Sequence, residues 1–150
     1  MEIKVLGCGD HPLFEGMLDV FAAAFDDAEA YSGARPSEDY VARLLASDAF
    51  VALVAILDGK VIGGLAAYEL IKFEQQRSEF YIYDLGVLES HRRRGVASSL
   101  IGSLSAIAAM RGASVAFVQA DHDDDPAIAL YSKFGPPREV LHFDIPVVSA

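Results

Sequence analysis

Hydrophobic and polar positions divide the chain into strand-like runs and amphipathic helices. Residues 3–6 make a short strand candidate, closed by the Gly, Asp, His and Pro of 7–12. Phe14, Met17, Leu18, Phe21 and Phe25 then recur at helical spacing, predicting a first helix with one apolar stripe. Over 26–36 the period is lost and acids gather, so this segment reads as a surface loop. Ser37 is placed to cap a short second helix carrying Tyr40, Val41, Leu44 and Leu45 on one side. Residues 49–57 are almost wholly apolar, Asp58-Gly59 is a hairpin turn, and 61–70 continues as a second strand. A polar break at 72–77 precedes a third strand over 78–87. The three predict an antiparallel meander buried on both faces.

Residues 95–111 carry the longest helical pattern, with Val96, Leu100, Leu104 and Ile107 on one stripe and Gly112 as its stop. A short strand at 115–119 follows, so strand, helix and strand over 78–119 form a crossover that should pair in parallel. The acidic run 121–125 leads through Pro126 into a last helix at 127–134, ended by Gly135-Pro136-Pro137. Val140 to Ile145 is placed to close the sheet as a final strand. The pattern is α/β (α+β), and with no linker or repeat, residues 1–150 read as one domain.

Charge narrows the partners. A net charge of -10 argues against nucleic acid or an anionic membrane, because phosphate backbones are bound by basic surface, and it suits a cationic ligand. Cys8 is the only cysteine, which excludes an intramolecular disulfide framework. The chain start lacks a signal-peptide core, and no apolar run approaches the ~18 residues of a membrane span, so a cytoplasmic protein is expected. His11, His91, His122 and His142 show no paired metal spacing. A calcium loop begun at Asp121 needs Gly where Pro126 stands and Glu where Ser132 stands. No metal is expected.

The basic turn His91-Arg92-Arg93-Arg94-Gly95-Val96-Ala97 stands out in this acidic chain. Small residues at 95 and 97 let the backbone approach an anion, and the helix N-terminus and guanidinium groups offset its charge. It is neither a Walker loop nor a dinucleotide-binding glycine fingerprint. On spacing alone, a basic solvated turn before a helix is the better explanation.

Arg92-x-x-Gly95-x-Ala97 at the head of the central helix resembles the pyrophosphate motif of the GCN5-related N-acetyltransferase (GNAT) superfamily. Ala127-Ile128-Ala129-Leu130-Tyr131-Ser132-Lys133-Phe134-Gly135 is similar to its second signature. The blocks 72–85, 118–121, 124–127 and 142–145 look like aminoglycoside 3-N-acetyltransferases of the gentamicin and fortimicin resistance type. The resemblance implies a mostly antiparallel mixed sheet that splays in a V between 78–87 and 115–119. Acetyl-coenzyme A would lie in that gap. Its pyrophosphate would sit on Arg92, Arg93, Arg94, Gly95, Val96, Ala97 and Ser98. Its pantetheine would pair near Leu85, Gly86 and Val87, with Gly86 permitting a bulge and a freed N–H polarising the thioester carbonyl.

An amine acceptor is largely protonated at neutral pH, so attack needs a base, and the departing thiolate an acid. The resemblance implies Asp84 as base, while a structural acid paired to Arg77 or the 92–94 turn is the bland alternative. Glu79 is a second candidate, as water-relayed base or amine ligand. Strict alternation puts 79 and 84 on opposite faces, so both line one cleft only if a bulge intervenes. Tyr131 matches the family's thiolate-protonating tyrosine, although its spacing with Ala127, Leu130 and Phe134 also fits a core aromatic. Asp26, Asp27, Glu29 and Tyr31 of the first loop, with Glu79, Tyr83, Asp84, Asp121, Asp123 and Asp144, form the candidate pocket for a cationic aminoglycoside or polyamine. Capping is the alternative for the acids that precede Pro126. Another polyamine, an amino acid or a protein N-terminus remains as acceptor, as does a non-catalytic acyl-coenzyme A binding module, and a homodimer is left open.

Overall fold

The computed structural model describes residues 1–149. Contacts divide the chain into two compact units, Met1–Gln119 and the segment from Ala120 on. The first unit holds β1 (Glu2–Val5), α1 (His11–Ala24), α2 (Ala28–Ser32), α3 (Glu38–Ala46), β2 (Phe50–Leu57), β3 (Lys60–Ile71), β4 (Ser78–Val87), α4 (Val96–Met110) and β5 (Ala113–Val118). The sheet runs β1-β2-β3-β4-β5, antiparallel through β4, with β5 parallel to β4. The α/β reading, the antiparallel meander and the parallel crossover are all present.

Local chemistry explains most boundaries. Asp58 and Gly59 take φ of 50° and 76°, the left-handed pair that a tight hairpin between β2 and β3 requires. The Ser37 side chain accepts from the Tyr40 amide and starts α3. The 26–36 loop contains an element that the pattern hid, because five residues are too few to show a period. There the Asp27 carboxylate accepts from the Ala30 amide and caps α2.

Helices cover both sheet faces. Phe14, Met17 and Phe21 of α1 pack with Val41 of α3 and with Phe50, Ala52 and Val54 of β2. Gly64 admits Met17, for a Cβ there would stand 2.5 Å from its Cγ. By alternation Val51, Leu53 and Ala55 look the other way, toward Leu100 and Leu104 of α4, all buried. Each large side chain so buried contributes about 1.5–3 kcal/mol.

Three expectations are corrected. The bulge falls at Tyr83, between the pairs Ala67↔Ile82 and Ala66↔Asp84, whereas Gly86 pairs regularly with Gly64 and lies against Phe21 and Ala24. The meander is not buried on both faces throughout: Tyr83 is exposed and Glu79 and Tyr81 are partly so. No strand forms over 140–145. In the second unit α5 (Asp125–Tyr131) is the only regular element among the described residues.

Candidate active site

The Tyr83 bulge decides what β4 presents. Glu79, Tyr81 and Tyr83 share a face by alternation, and the extra residue brings Asp84 round to the same side. There the Tyr31 hydroxyl of α2 donates to Asp84 Oδ2 at 2.7 Å, while the Tyr31 ring meets Phe21 edge-on at 5.6 Å. Burial raises the Asp84 carboxyl above its ordinary value, and the Tyr31 hydrogen bond opposes that rise. Burial and then the Asp84 carboxylate push the Tyr31 hydroxyl upward, so it stays protonated as a donor. Among the described residues Asp84 has no ion-pair partner, which removes the pairing with Arg77 or the 92–94 turn.

Glu79 occupies a different environment. It lies on the order of 15 Å along the strand from Asp84, at ~3.3 Å per residue. Lys72 and Arg77 approach its Oε1 at 3.9 and 3.5 Å. Between the two acids runs a row of rings across four strands. Phe50 and Tyr68 are 5.2 Å apart, Tyr68 and Tyr83 5.8 Å, Tyr83 and Tyr81 5.6 Å, and Tyr81 stacks on Phe117 at 4.8 Å. The Tyr81 hydroxyl donates to Gln119 Oε1 at 2.8 Å.

The other end of β4 leads into a turn with free amides and basic side chains. β4 and β5 pair only as far as Ile82 and Val118, after which β4 runs on to Val87 with that edge open. A short 3-10 turn, Glu89–His91, leads to Arg93 and Gly95, both left-handed at φ of 63° and 80°. No side chain caps α4, and its first turn holds no acid. Its leading amides thus lack intrahelical acceptors. A Cβ on Gly95 would meet nothing within 4 Å, so the approach to them is clear. These features suit a pyrophosphate.

Residues 15–135 match the acetyltransferase (GNAT) family. The chain belongs to that family. It is similar to an aminoglycoside acetyltransferase, HMB0005, from an uncultured soil metagenomic sample, at 55% identity over 99% of this chain and 100% of that one, with a TM-score of 0.95. A second soil metagenomic aminoglycoside acetyltransferase, meta-AAC0020, solved with sisomicin, is 30% identical over 98% and 96% of the two chains, with a TM-score of 0.90. Ribosomal-protein-alanine N-acetyltransferase from Brucella melitensis biovar Abortus 2308 shares the fold at 22% identity, over 98% of this chain and all of that one, with a TM-score of 0.74. No curated protein sequence matches.

As a GNAT enzyme the chain takes its acetyl group from acetyl-coenzyme A. Within the motif of this acetyltransferase, the Arg92 side chain also makes contacts inside the fold. Its Nε donates to the Val87 carbonyl at 3.2 Å and its Nη2 to the Ala24 carbonyl at 3.3 Å. The Arg92 side chain therefore ties the turn to the ends of β4 and α1, and Arg92, Arg93 and Arg94 are all exposed. Among the described residues no group of three or more His, Cys, Asp or Glu could hold a metal. No helix there is long and apolar enough to cross a membrane.

The remaining candidates of the GNAT enzyme divide between its units. Asp26 is exposed at φ of 51°, Asp27 caps α2, and Glu29 is exposed on its first turn. In the second unit Asp121 and Asp123 are exposed before α5, and Asp124 accepts from the Ala127 amide as its cap. Asp144 Oδ1 and His142 Nε2 are 2.9 Å apart. Tyr131 is the last residue of α5, its carbonyl accepting from the Phe134 amide at 2.9 Å. Sequence reasoning missed Arg35, which ties α2 to α1. The signal was there, for Arg35 is the lone cation between Asp26 and Asp39.

Proposed function

We propose that this enzyme transfers acetyl from acetyl-coenzyme A to the 3-amino group of a 2-deoxystreptamine aminoglycoside of the gentamicin, sisomicin or fortimicin kind, by direct attack in a ternary complex. The observation that carries this reading is similarity at 55% identity, over 99% of the chain, to an aminoglycoside acetyltransferase. The net charge of -10 supports a polycationic acceptor.

In this reading Asp84 takes a proton from the acceptor ammonium. Burial lifts its basicity, and no cation competes with the substrate for its charge among the described residues. The freed amine forms a C–N bond at the acetyl carbonyl as the C–S bond breaks, and the departing thiolate takes a proton from Tyr131. The second proton shed by the acylated nitrogen passes through solvent to restore the Tyr131 hydroxyl, while Asp84 releases its own proton to solvent. Acetyl-coenzyme A supplies the activated thioester. Backbone N–H near Leu85, Gly86 and Val87, on the open edge of β4, polarises its carbonyl. The amides of Gly95 to Ser98, with Arg93 and Arg94, take the pyrophosphate. Tyr68, Tyr81 and Tyr83 offer ring faces to the apolar side of a sugar, and Glu79, already shared with two cations, serves as an amine ligand. Asp26, Asp27, Glu29, Asp121, Asp123 and Asp144 supply the outer negative field.

Thiol release from acetyl-coenzyme A tests the reading. Gentamicin, sisomicin or fortimicin should stimulate it, and expression should raise the concentrations of these drugs that cells tolerate. Stimulation by simple polyamines alone would replace the acceptor. Thermal stabilisation by coenzyme A without turnover on any amine would favour a binding module.

A further inference from the structure

An isolated five-residue helix is not stable in water, and α2 buries none of its residues fully. What holds it is Arg35. Its Nε donates to the Tyr31 carbonyl at 2.8 Å, and its Nη1 to the Glu15 carbonyl at 3.2 Å and Glu15 Oε2 at 2.6 Å. Its Nη2 donates to Asp19 Oδ1 at 2.6 Å and Ser32 Oγ at 3.2 Å. Glu15 and Asp19 stand one turn apart on α1, so a single guanidinium bridges two carboxylates and fastens α2 along that helix. Tyr31 is thereby delivered to Asp84, its ring held by Phe21 at 5.6 Å and Phe25 at 5.7 Å.

We propose that Tyr31, locked in place by the Arg35 clamp, is the positioning residue that orients the Asp84 carboxylate for proton abstraction. The proposal rests on Asp84 being the base. The bond to Oδ2 fixes the rotation of the carboxylate, and so the direction in which it meets the acceptor ammonium. Of the groups around Asp84, Tyr31 comes from α2 with Asp27 at that helix's start, Tyr68 from β3, and Tyr81 and Tyr83 from β4 itself. The Tyr31 hydroxyl donates directly to the Asp84 carboxylate, across 53 positions of sequence. Its hydrogen bond favours the ionised form, so removing it moves the Asp84 titration to higher pH.

Tyr31→Phe keeps the ring and deletes only the hydroxyl. Carbon-13 titration of aspartate carboxyls, with the Asp84 signal identified by its loss in Asp84→Asn, reads the effect without any substrate. The expected result is a higher midpoint in Tyr31→Phe and in Arg35→Ala, with partial return in Arg35→Lys, which cannot bridge both carboxylates. In turnover, Tyr31→Phe should lower kcat about tenfold, as loss of one charge-assisted hydrogen bond does. KM for acetyl-coenzyme A should hold, and the acid limb of the kcat/KM profile should move to higher pH. A wild-type Asp84 midpoint and acid limb in Tyr31→Phe overturns the proposal, even if Arg35→Ala fails to fold. Full activity in Asp84→Asn overturns the base assignment instead, so the two failures are distinct.

Discussion

Replacing Gly95 by Asp puts a carboxylate at the head of α4, where the donor's pyrophosphate is assigned, and the structure separates its effect on folding from its effect on binding. A Cβ at this position meets nothing within 4 Å, so the folding cost is that of φ +80° alone. For an L-residue held left-handed this is about 1 kcal/mol, and short polar Asp and Asn tolerate it best. Binding suffers more. Two unit charges at ~5 Å with an effective dielectric of ~20 repel by about 3 kcal/mol. Solvent screening at this exposed turn takes away about half, which leaves a loss of at least about tenfold in coenzyme A affinity. Gly95→Asn is the control, because it shares the shape and the backbone strain and lacks the charge. Titration calorimetry with coenzyme A at low and high salt, beside urea unfolding of both variants, separates the contributions. Asp should bind at least tenfold more weakly than Asn at low salt, the gap should shrink at high salt, and the unfolding midpoints should agree. Equal affinities for the two variants at low salt refute an anion site at this turn.

Asp84→Asn should abolish stimulated thiol release and leave coenzyme A affinity within about twofold, since a missing base affects the chemical step rather than donor binding. Because the folded carboxyl is more basic than in the unfolded chain, its ionisation costs stability as pH rises through the folded value. The same variant should therefore unfold at higher urea than wild type at pH ~7, with the difference vanishing near pH ~3, below the unfolded carboxylate range. Gly64→Ala forces a Cβ to within 2.5 Å of Met17 Cγ and should cost about 1–3 kcal/mol in the same assay. Gly86→Ala, whose nearest contact is 3.0 Å from Phe21 Cδ1, should cost less, and the reverse order would contradict the packing described.

Features written in neighbouring residues were legible in the sequence. The Asp58-Gly59 hairpin, the Ser37 cap and the open turn at Gly95 each rest on a few adjacent positions whose chemistry admits few conformations. The bulge at Tyr83 rests instead on how β4 registers against β3, and nothing in 78–87 distinguishes Tyr83 from Tyr81 as the extra residue. Asp84 was found as a candidate base, but its partner Tyr31 lies 53 positions away. The contacts of Arg92 were hidden for the same reason, because the two carbonyls that take its guanidinium belong to other elements. The apolar positions of 140–145 show how far a strand pattern reaches: it states a preference of the side chains, and that alone does not build a strand.

The central claim is that an amine of an aminoglycoside, at position 3 of the deoxystreptamine ring, receives the acetyl group at Asp84. Its most direct test is NMR of the product formed from carbon-13-labelled acetyl-coenzyme A and sisomicin. The account predicts one new amide, its carbonyl coupled to the 3-position of the central ring, and no such signal when Asp84→Asn replaces the wild type. An acetyl group on any other amine, or an unchanged product from the variant, would contradict it.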